Sequence, residues 1–523
     1  MSDDRSTFKH AAVYSAAAML SRIIGFLLLP LYAHELQAIG YGIIALIDTA
    51  MNFMLSLLGQ GIRGGLVRFY HEEPDPEAKK RVVVTGSLLV GAASVVMSGL
   101  TMLLSKPLSS LLFGEPTYWA VVCLGAGAFI FSITAETAST LLIIQRRSFQ
   151  FSMVSLLQLT AGLLFNVLFI IVLRMGIIGF FLASIITAAM AFLAYGWLLV
   201  RSCGWGFDRE VARKIIAFQT PLVPGALASF ASRQVERVLV RAIQAIESVG
   251  VLEMGYKFPV LLTLLIQQPF MRSWDTRRVE IAEEPDGPQR IGRMFTYGLF
   301  LMLAAGLVMA VCIRDLLMIL TPPEFWEAHR IAKIEIVTVI LQSCMYHLIF
   351  GIFYHKKTGQ WAKVRGVTSA VKVGMSVLFI SLWGLYGAAY SACATMIITM
   401  IWGGRIGMGL YRFDIEKAKV TAMVVTAVVL YVLLDRADMA SWATLDAARD
   451  VWLPGLANAL QSTFLGTWKD GKAVIMLLER KDLIVDMAAR GLLASSFVLL
   501  LPAVHDPTRR KAVGKLRRRP AAV

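Results

Sequence analysis

The chain alternates apolar runs of about 18 to 25 residues with short polar loops. A helix rises 1.5 Å per residue, so about 20 such residues cross the roughly 30 Å hydrocarbon core of a bilayer. The pattern predicts helices near 11–33, 40–62, 82–105, 119–144, 151–173, 176–200, 215–240, 250–271, 294–313, 331–354, 364–383, 386–404 and 418–434, with a fourteenth near 483–504. The fold class expected is all-α, a polytopic membrane protein. One Arg and one Lys precede the first run, as in a signal peptide. That run contains Arg22, however, and ends in Pro30, Tyr32, His34 and Glu35 without a small-residue cleavage site, so it reads as a retained first helix.

Composition supports this reading. Hydrophobic residues make up 57% of the 523 and charged ones only 16%, more apolar surface than a soluble core needs. The net charge of +16 does not point to nucleic acid, because the cations sit in loops and the tail rather than on one soluble face. They follow topology instead. Even-numbered loops are basic (Arg63, Arg68, Lys79, Lys80 and Arg81 in the second; Lys356, Lys357 and Lys363 in the tenth; Arg405, Arg412 and Lys417 in the twelfth), whereas odd loops hold isolated cations. By the positive-inside rule both termini face the cytoplasm, and the expected location is a bacterial inner membrane. The basic tail, Arg509 to Arg519, then requires an even number of crossings, which favours fourteen. The region 435–482 reads as a periplasmic or interfacial insert, with an uncharged stretch from Val451 to Trp468.

Landmarks recur along the chain. Gly40 and Gly250, and the turns starting at Gln145 and His355, lie 210 residues apart; Gly176-Ile177-Ile178-Gly179 and Gly384-Leu385-Tyr386-Gly387 lie 208 apart. Six helices separate the copies, so the halves share one orientation, with a two-fold axis along the membrane normal and a binding site between them. The expected organisation is a six-helix bundle over 1–205, a second over 206–412, and a C-terminal part over 413–523 with two more helices, the insert and the tail.

Polar residues within the runs carry the candidate chemistry. Arg22 lies near the middle of helix 1, where an unpartnered Arg costs about 2.5 to 3.5 kcal/mol. With Ser15, Ala18 and Gly25 it forms one small, polar face, read either as a cavity wall that meets an anion or as a structural ion pair. Helix 2 bears a stripe of Ala45, Asp48, Asn52, Ser56, Gly59 and Arg63. Asp48 either carries a coupling proton or cation or neutralises Lys257 in helix 8. Arg233, Arg237 and Arg241 rise at i, i+4, i+8 in helix 7 beside Glu236, as substrate contacts or as a local salt-bridge cluster. Pro221 and Pro224 in that helix, with Pro30, are hinge candidates, although proline is also tolerated structurally in membrane helices. Lys372 falls about nine residues into its span, too deep for easy snorkelling. Glu136 and His347 read as buried, with a helix–helix hydrogen bond the favoured role.

Cations (Arg22, Arg233, Lys257, Lys372) outnumber the acids Asp48 and Glu136 in the spans, so the interior is net basic and an anionic ligand is expected. No Walker loop, H-E-x-x-H or G-x-S-x-G motif occurs, and the five cysteines are scattered without C-x-x-C spacing. Catalytic residues, cofactors and metal ions are accordingly not expected.

Four segments resemble the Wzx-type polysaccharide-biosynthesis flippases, of the superfamily shared with multidrug and toxic compound extruders. They are Leu20-Ser21-Arg22-Ile23-Ile24-Gly25-Phe26 leading through Pro30 to Gly40-Tyr41-Gly42; Leu66-Val67-Arg68-Phe69-Tyr70; His355-Lys356-Lys357-Thr358; and Gly384 to Ser391. The likeness spans about residues 10–434 and departs at the insert. It implies two six-helix bundles around a V-shaped cavity lined by basic residues, which accepts a lipid-linked sugar, such as an undecaprenyl pyrophosphate glycan, and moves its head group outward by alternating access. The implied partners are that lipid-linked glycan, membrane lipids, and polysaccharide polymerase or glycosyltransferase machinery. Two alternatives stay open. A cation-coupled multidrug exporter of the same fold favours acids in the cavity, and a membrane glycan polymerase or ligase requires a catalytic periplasmic loop, for which 435–482 is the only candidate and lacks histidine.

Overall fold

The computed structural model describes residues 28–58, 60–145, 147–275, 277–436 and 481–500. Among these no strand occurs, and twelve helices are long and apolar enough to cross a membrane. In hydrocarbon an unsatisfied backbone amide costs several kcal/mol, and a helix satisfies its amides within itself. The protein is a multi-pass, all-helical membrane protein.

The principal helices are α1 (Leu29–Leu58), α2 (Gln60–Glu72), α3 (Pro76–Leu103), α4 (Ser105–Phe113), α5 (Trp119–Ile144), α6 (Ser148–Asn166), α7 (Gly176–Cys203), α8 (Arg209–Gln219), α9 (Val223–Ile243), α10 (Ile246–Leu262), α11 (Gln268–Asp275), α12 (Gly287–Leu320), α13 (Ala328–Leu348), α14 (Thr358–Trp383), α15 (Leu385–Leu410), α16 (Lys417–Arg436) and α17 (Lys481–Ser495). Most expected spans reappear with extended ends. The predicted loop between helices 1 and 2 contracts to one break, at Gln37, whose left-handed φ of 56° interrupts α1. Of the expected first helix only the end from Leu29 is described, and most of the 435–482 insert and the basic tail also lie outside the described residues. The two expected C-terminal helices are α16 and α17.

The chain forms two compact units. One comprises residues up to Glu253 together with Ser369–Ser391; the other comprises Met254–Thr368 and the residues from Ala392 onward. In the first, Leu66, Val83, Leu141, Leu142 and Tyr195 centre one core, and Met54, Val90, Phe129 and Ile215 another. In the second, Phe295, Phe300, Phe350 and Phe413 form a core that includes Phe497 just beyond α17, stacked on Phe300 at 5.3 Å.

The repeat landmarks have matching backbone roles. Gly176 and Gly384 both take φ of +55°, a conformation costly for other residues, and each opens the tight turn into the next helix. Where α1 meets α10, a Cβ on Gly250 would lie 2.0 Å from the Ala38 carbonyl oxygen and one on Gly42 2.2 Å from that of Ile246. Only glycine allows the two backbones to approach this closely.

Candidate functional site

The predicted helix 7 is two helices. α8 ends at Gln219, Thr220–Leu222 forms a 3-10 turn, and α9 begins at Val223, so Pro221 sits in the break and Pro224 in the first turn of α9. Proline is tolerated there because the amides of a helix's first turn have no partner within it. At the break the buried Gln219 side chain reaches another helix, its Nε2 donating to the Leu57 carbonyl at 3.1 Å and to that of Leu58, at the end of α1. These are carbonyls that the helix itself leaves open.

Beyond the break, α9 carries a polar cluster of the first unit. Arg237 donates through Nε to the Glu253 carboxylate and through Nη1 to Gln234 Oε1 at 2.7 Å. Gln234 Oε1 also accepts from the Thr49 hydroxyl at 3.3 Å, which ties α9 to α1. On another face of α9, Glu236 is 3% exposed and pairs with Lys372 Nζ at 3.0 Å. The α14 helix starts earlier than predicted, which sets Lys372 fourteen residues, about 21 Å, from its beginning. An ammonium at that depth requires a counter-charge, and Glu236 supplies it. Arg241 donates to the Phe113 carbonyl, beside the left-handed Gly114 that ends α4.

Arg233 differs from its neighbours. It is exposed, and among the described residues no carboxylate pairs with it. Three cations (Arg233, Arg237, Lys372) thus share two acids, and the pairings leave Arg233 over. A cation with free donors on a membrane helix can hold an anionic oxygen, most strongly a phosphate.

The remaining candidates are dispersed. Asp48 and Asn52 are exposed on α1, and the Asn52 amide donates to the Asp48 carbonyl at 2.7 Å. Lys257 is half-buried on α10 in the second unit. Pro30 lies in the first turn of α1, its carbonyl 2.8 Å from His34 Nδ1. Arg22 lies outside the described residues. Two expectations are corrected. Glu136 is exposed on α5 rather than buried, although Ile133 and Thr140, one turn to either side, are buried. His347 is buried but its Nε2 finds no hydrogen-bond partner among the described residues; the ring instead packs between Phe270 and Phe295, at centroid distances of 5.8 and 5.7 Å.

Sequence reasoning missed Gln219, Gln234, Glu253 and a buried triad in the second unit. There, Arg490 of α17 pairs with Asp315 of α12 at 2.7 Å and with Asp486 one turn before it. The predicted end of helix 9 at residue 313 placed Asp315 in a loop, whereas α12 continues to Leu320 and buries it. The i, i+4 spacing of Asp486 and Arg490 was the available signal.

Comparison with known proteins agrees with this architecture. The chain superposes on a structure described as lipid II flippase MurJ in an inward closed conformation, with a TM-score of 0.68 and 12% identity over 94% of this chain and 100% of that one. A multidrug resistance MATE family transporter of the MOP superfamily, inward-facing, gives a TM-score of 0.58 at 12% identity over 74% of this chain and 95% of that one. At such identity the likeness establishes the fold. No curated protein matches the sequence. The sequence model of the polysaccharide biosynthesis protein family matches residues 7–274, just over half of the chain, and the protein therefore belongs to that family.

Proposed function

We propose that the protein is a flippase that carries a lipid-linked oligosaccharide, on an undecaprenyl pyrophosphate carrier, from the cytoplasmic to the periplasmic leaflet for polysaccharide biosynthesis. It acts as a transporter rather than an enzyme, in a bacterial inner membrane with both termini cytoplasmic. Two six-helix bundles, bounded near residues 205 and 412, alternate access to the substrate. The observation that carries this reading is Arg233, an exposed cation beside two cations whose charges are already matched. Membership of the polysaccharide biosynthesis protein family and a fold shared with a lipid II flippase support it.

The physical need is clear. A glycan head group cannot cross hydrocarbon unaided, since each unpaired hydroxyl costs about 2 to 7 kcal/mol to desolvate. A wet, cationic path lowers that barrier, and guanidinium groups pair with phosphate oxygens in a bidentate manner. Arg22 and Arg233 take this role, and an inside-negative potential favours export of an anion by about 2.3 kcal/mol per charge per 100 mV. The test is translocation of a fluorescent undecaprenyl-pyrophosphate-linked oligosaccharide by the full chain in proteoliposomes. Transfer that is lost in Arg22→Ala supports the reading. No transfer by the wild type, together with export of organic cations, would assign the drug-exporter role instead.

A further inference from the structure

We infer that the second unit holds a site for the phosphodiester head group of an anionic membrane phospholipid, between the first turns of α14 and the last turns of α15. A pocket of about 470 Å³ opens there, lined by Gln360 and Lys363 on one helix and by Trp402, Arg405, Ile406 and Gly409 on the other. The spacings are i, i+3 on α14 and i, i+3, i+4, i+7 on α15, so each set forms one stripe of its helix.

Two glycines shape the gap. At Gly403 an added Cβ would come within 2.9 Å of the Trp361 ring, so the helices touch there. At Gly409, nearly two turns further on, a Cβ would meet nothing within 4 Å, and the helices leave space. The volume lies within the range of small-ligand sites.

The charges are unmatched. Among the described residues neither Lys363 nor Arg405 has an ion-pair partner, and no acidic residue lines the pocket. Both lie five residues from the ends of their helices, Thr358 and Leu410, which puts them at one depth, about 7.5 Å from the ends. Trp402, 37% exposed, adds the amphipathic ring typical of the membrane–water boundary. Lys356, Lys357, Arg412 and Lys417 flank the pocket in sequence, and by the positive-inside rule this end faces the cytoplasmic leaflet. Basic pockets between membrane helices on that side suit phospholipid head groups. A free phosphate shares the chemistry, but an opening at interfacial depth beside a Trp favours a lipid, whose chains remain in the bilayer.

The test is native mass spectrometry and thermal unfolding of the full chain in detergent, with cardiolipin, phosphatidylcholine or inorganic phosphate added. The expected result is retention of cardiolipin, and stabilisation by it, over phosphatidylcholine and phosphate. The Lys363→Gln/Arg405→Gln variant should bind cardiolipin about 30-fold more weakly, from about fivefold per lost cation. Arg365→Gln removes a nearby cation that stacks on Trp361 rather than lining the pocket, and should bind as the wild type does. Gly409→Leu, which fills the space with both charges retained, should also weaken binding, and it keeps the proposal testable if the double variant fails to fold. Unchanged cardiolipin binding in the double variant or in Gly409→Leu would overturn the proposal, as would equal stabilisation by inorganic phosphate.

Discussion

Around Arg237 in the first unit, three cations share two carboxylates; around Arg490 in the second, one guanidinium is held by two carboxylates. Both clusters lie on membrane helices and both contain residues that are nearly inaccessible. In the second, Asp315, Asp486 and Arg490 are 1, 6 and 5% exposed and pair with one another, and the triad fastens α17 to α12. In the first, the pairings are completed and one cation, Arg233, is left at the surface. A charge in a membrane helix is therefore not in itself a binding group. Charges that are mutually matched hold helices together, and in the proposed flippase the unmatched Arg233 is the one that would meet the substrate.

Three substitutions put this contrast under strain. The largest effect is expected from Arg490→Met, which leaves two carboxylates buried without a partner and should cost about 3–5 kcal/mol, measured as a fall in the unfolding midpoint of the purified protein. Neutralising all three, as Arg490→Met with Asp315→Asn and Asp486→Asn, should restore most of that loss. If the triple variant is as unstable as the single one, the triad's role is packing rather than charge pairing. Lys372→Met should act in the same direction but at or below the lower end of that range, because its ammonium is partly exposed, and Glu236→Gln in the same chain should recover stability. Pro221→Ala is the mildest. It restores a flexible residue and an amide donor to the break after Gln219, and the unfolding midpoint should change by the equivalent of about 0.4–1 kcal/mol or less. A hinge role for Pro221 predicts slower transport at this nearly unchanged stability, whereas a packing role predicts that both stay close to wild type.

The helices were legible because bilayer thickness fixes their length, and the repeat because glycine is required at the same turns, Gly176 and Gly384, in both halves. Their ends were less so. Arg314 and Asp315 interrupt the apolar run, yet α12 continues through residues 316–320, with Arg490 of a distant helix compensating the Asp315 carboxylate. Such pairings join residues far apart in the chain and leave no periodic trace. For the same reason the sequence placed Lys372 among the cavity cations without indicating that Glu236 holds it, and offered no way to tell Arg237, bound to Glu253, from Arg233 one turn earlier. Glu136 illustrates the opposite limit, since a lone acid in an apolar run reads as buried until the packing around it is known.

The most direct test of the account compares translocation of the undecaprenyl-pyrophosphate-linked oligosaccharide in proteoliposomes containing wild type, Arg233→Ala, or Lys372→Met/Glu236→Gln at equal protein content. The account predicts that Arg233→Ala slows translocation at least about tenfold, the loss of one charge-assisted contact, while the neutral replacement of the matched pair retains the wild-type rate. Wild-type translocation in Arg233→Ala, with loss in the Lys372→Met/Glu236→Gln variant, would contradict it.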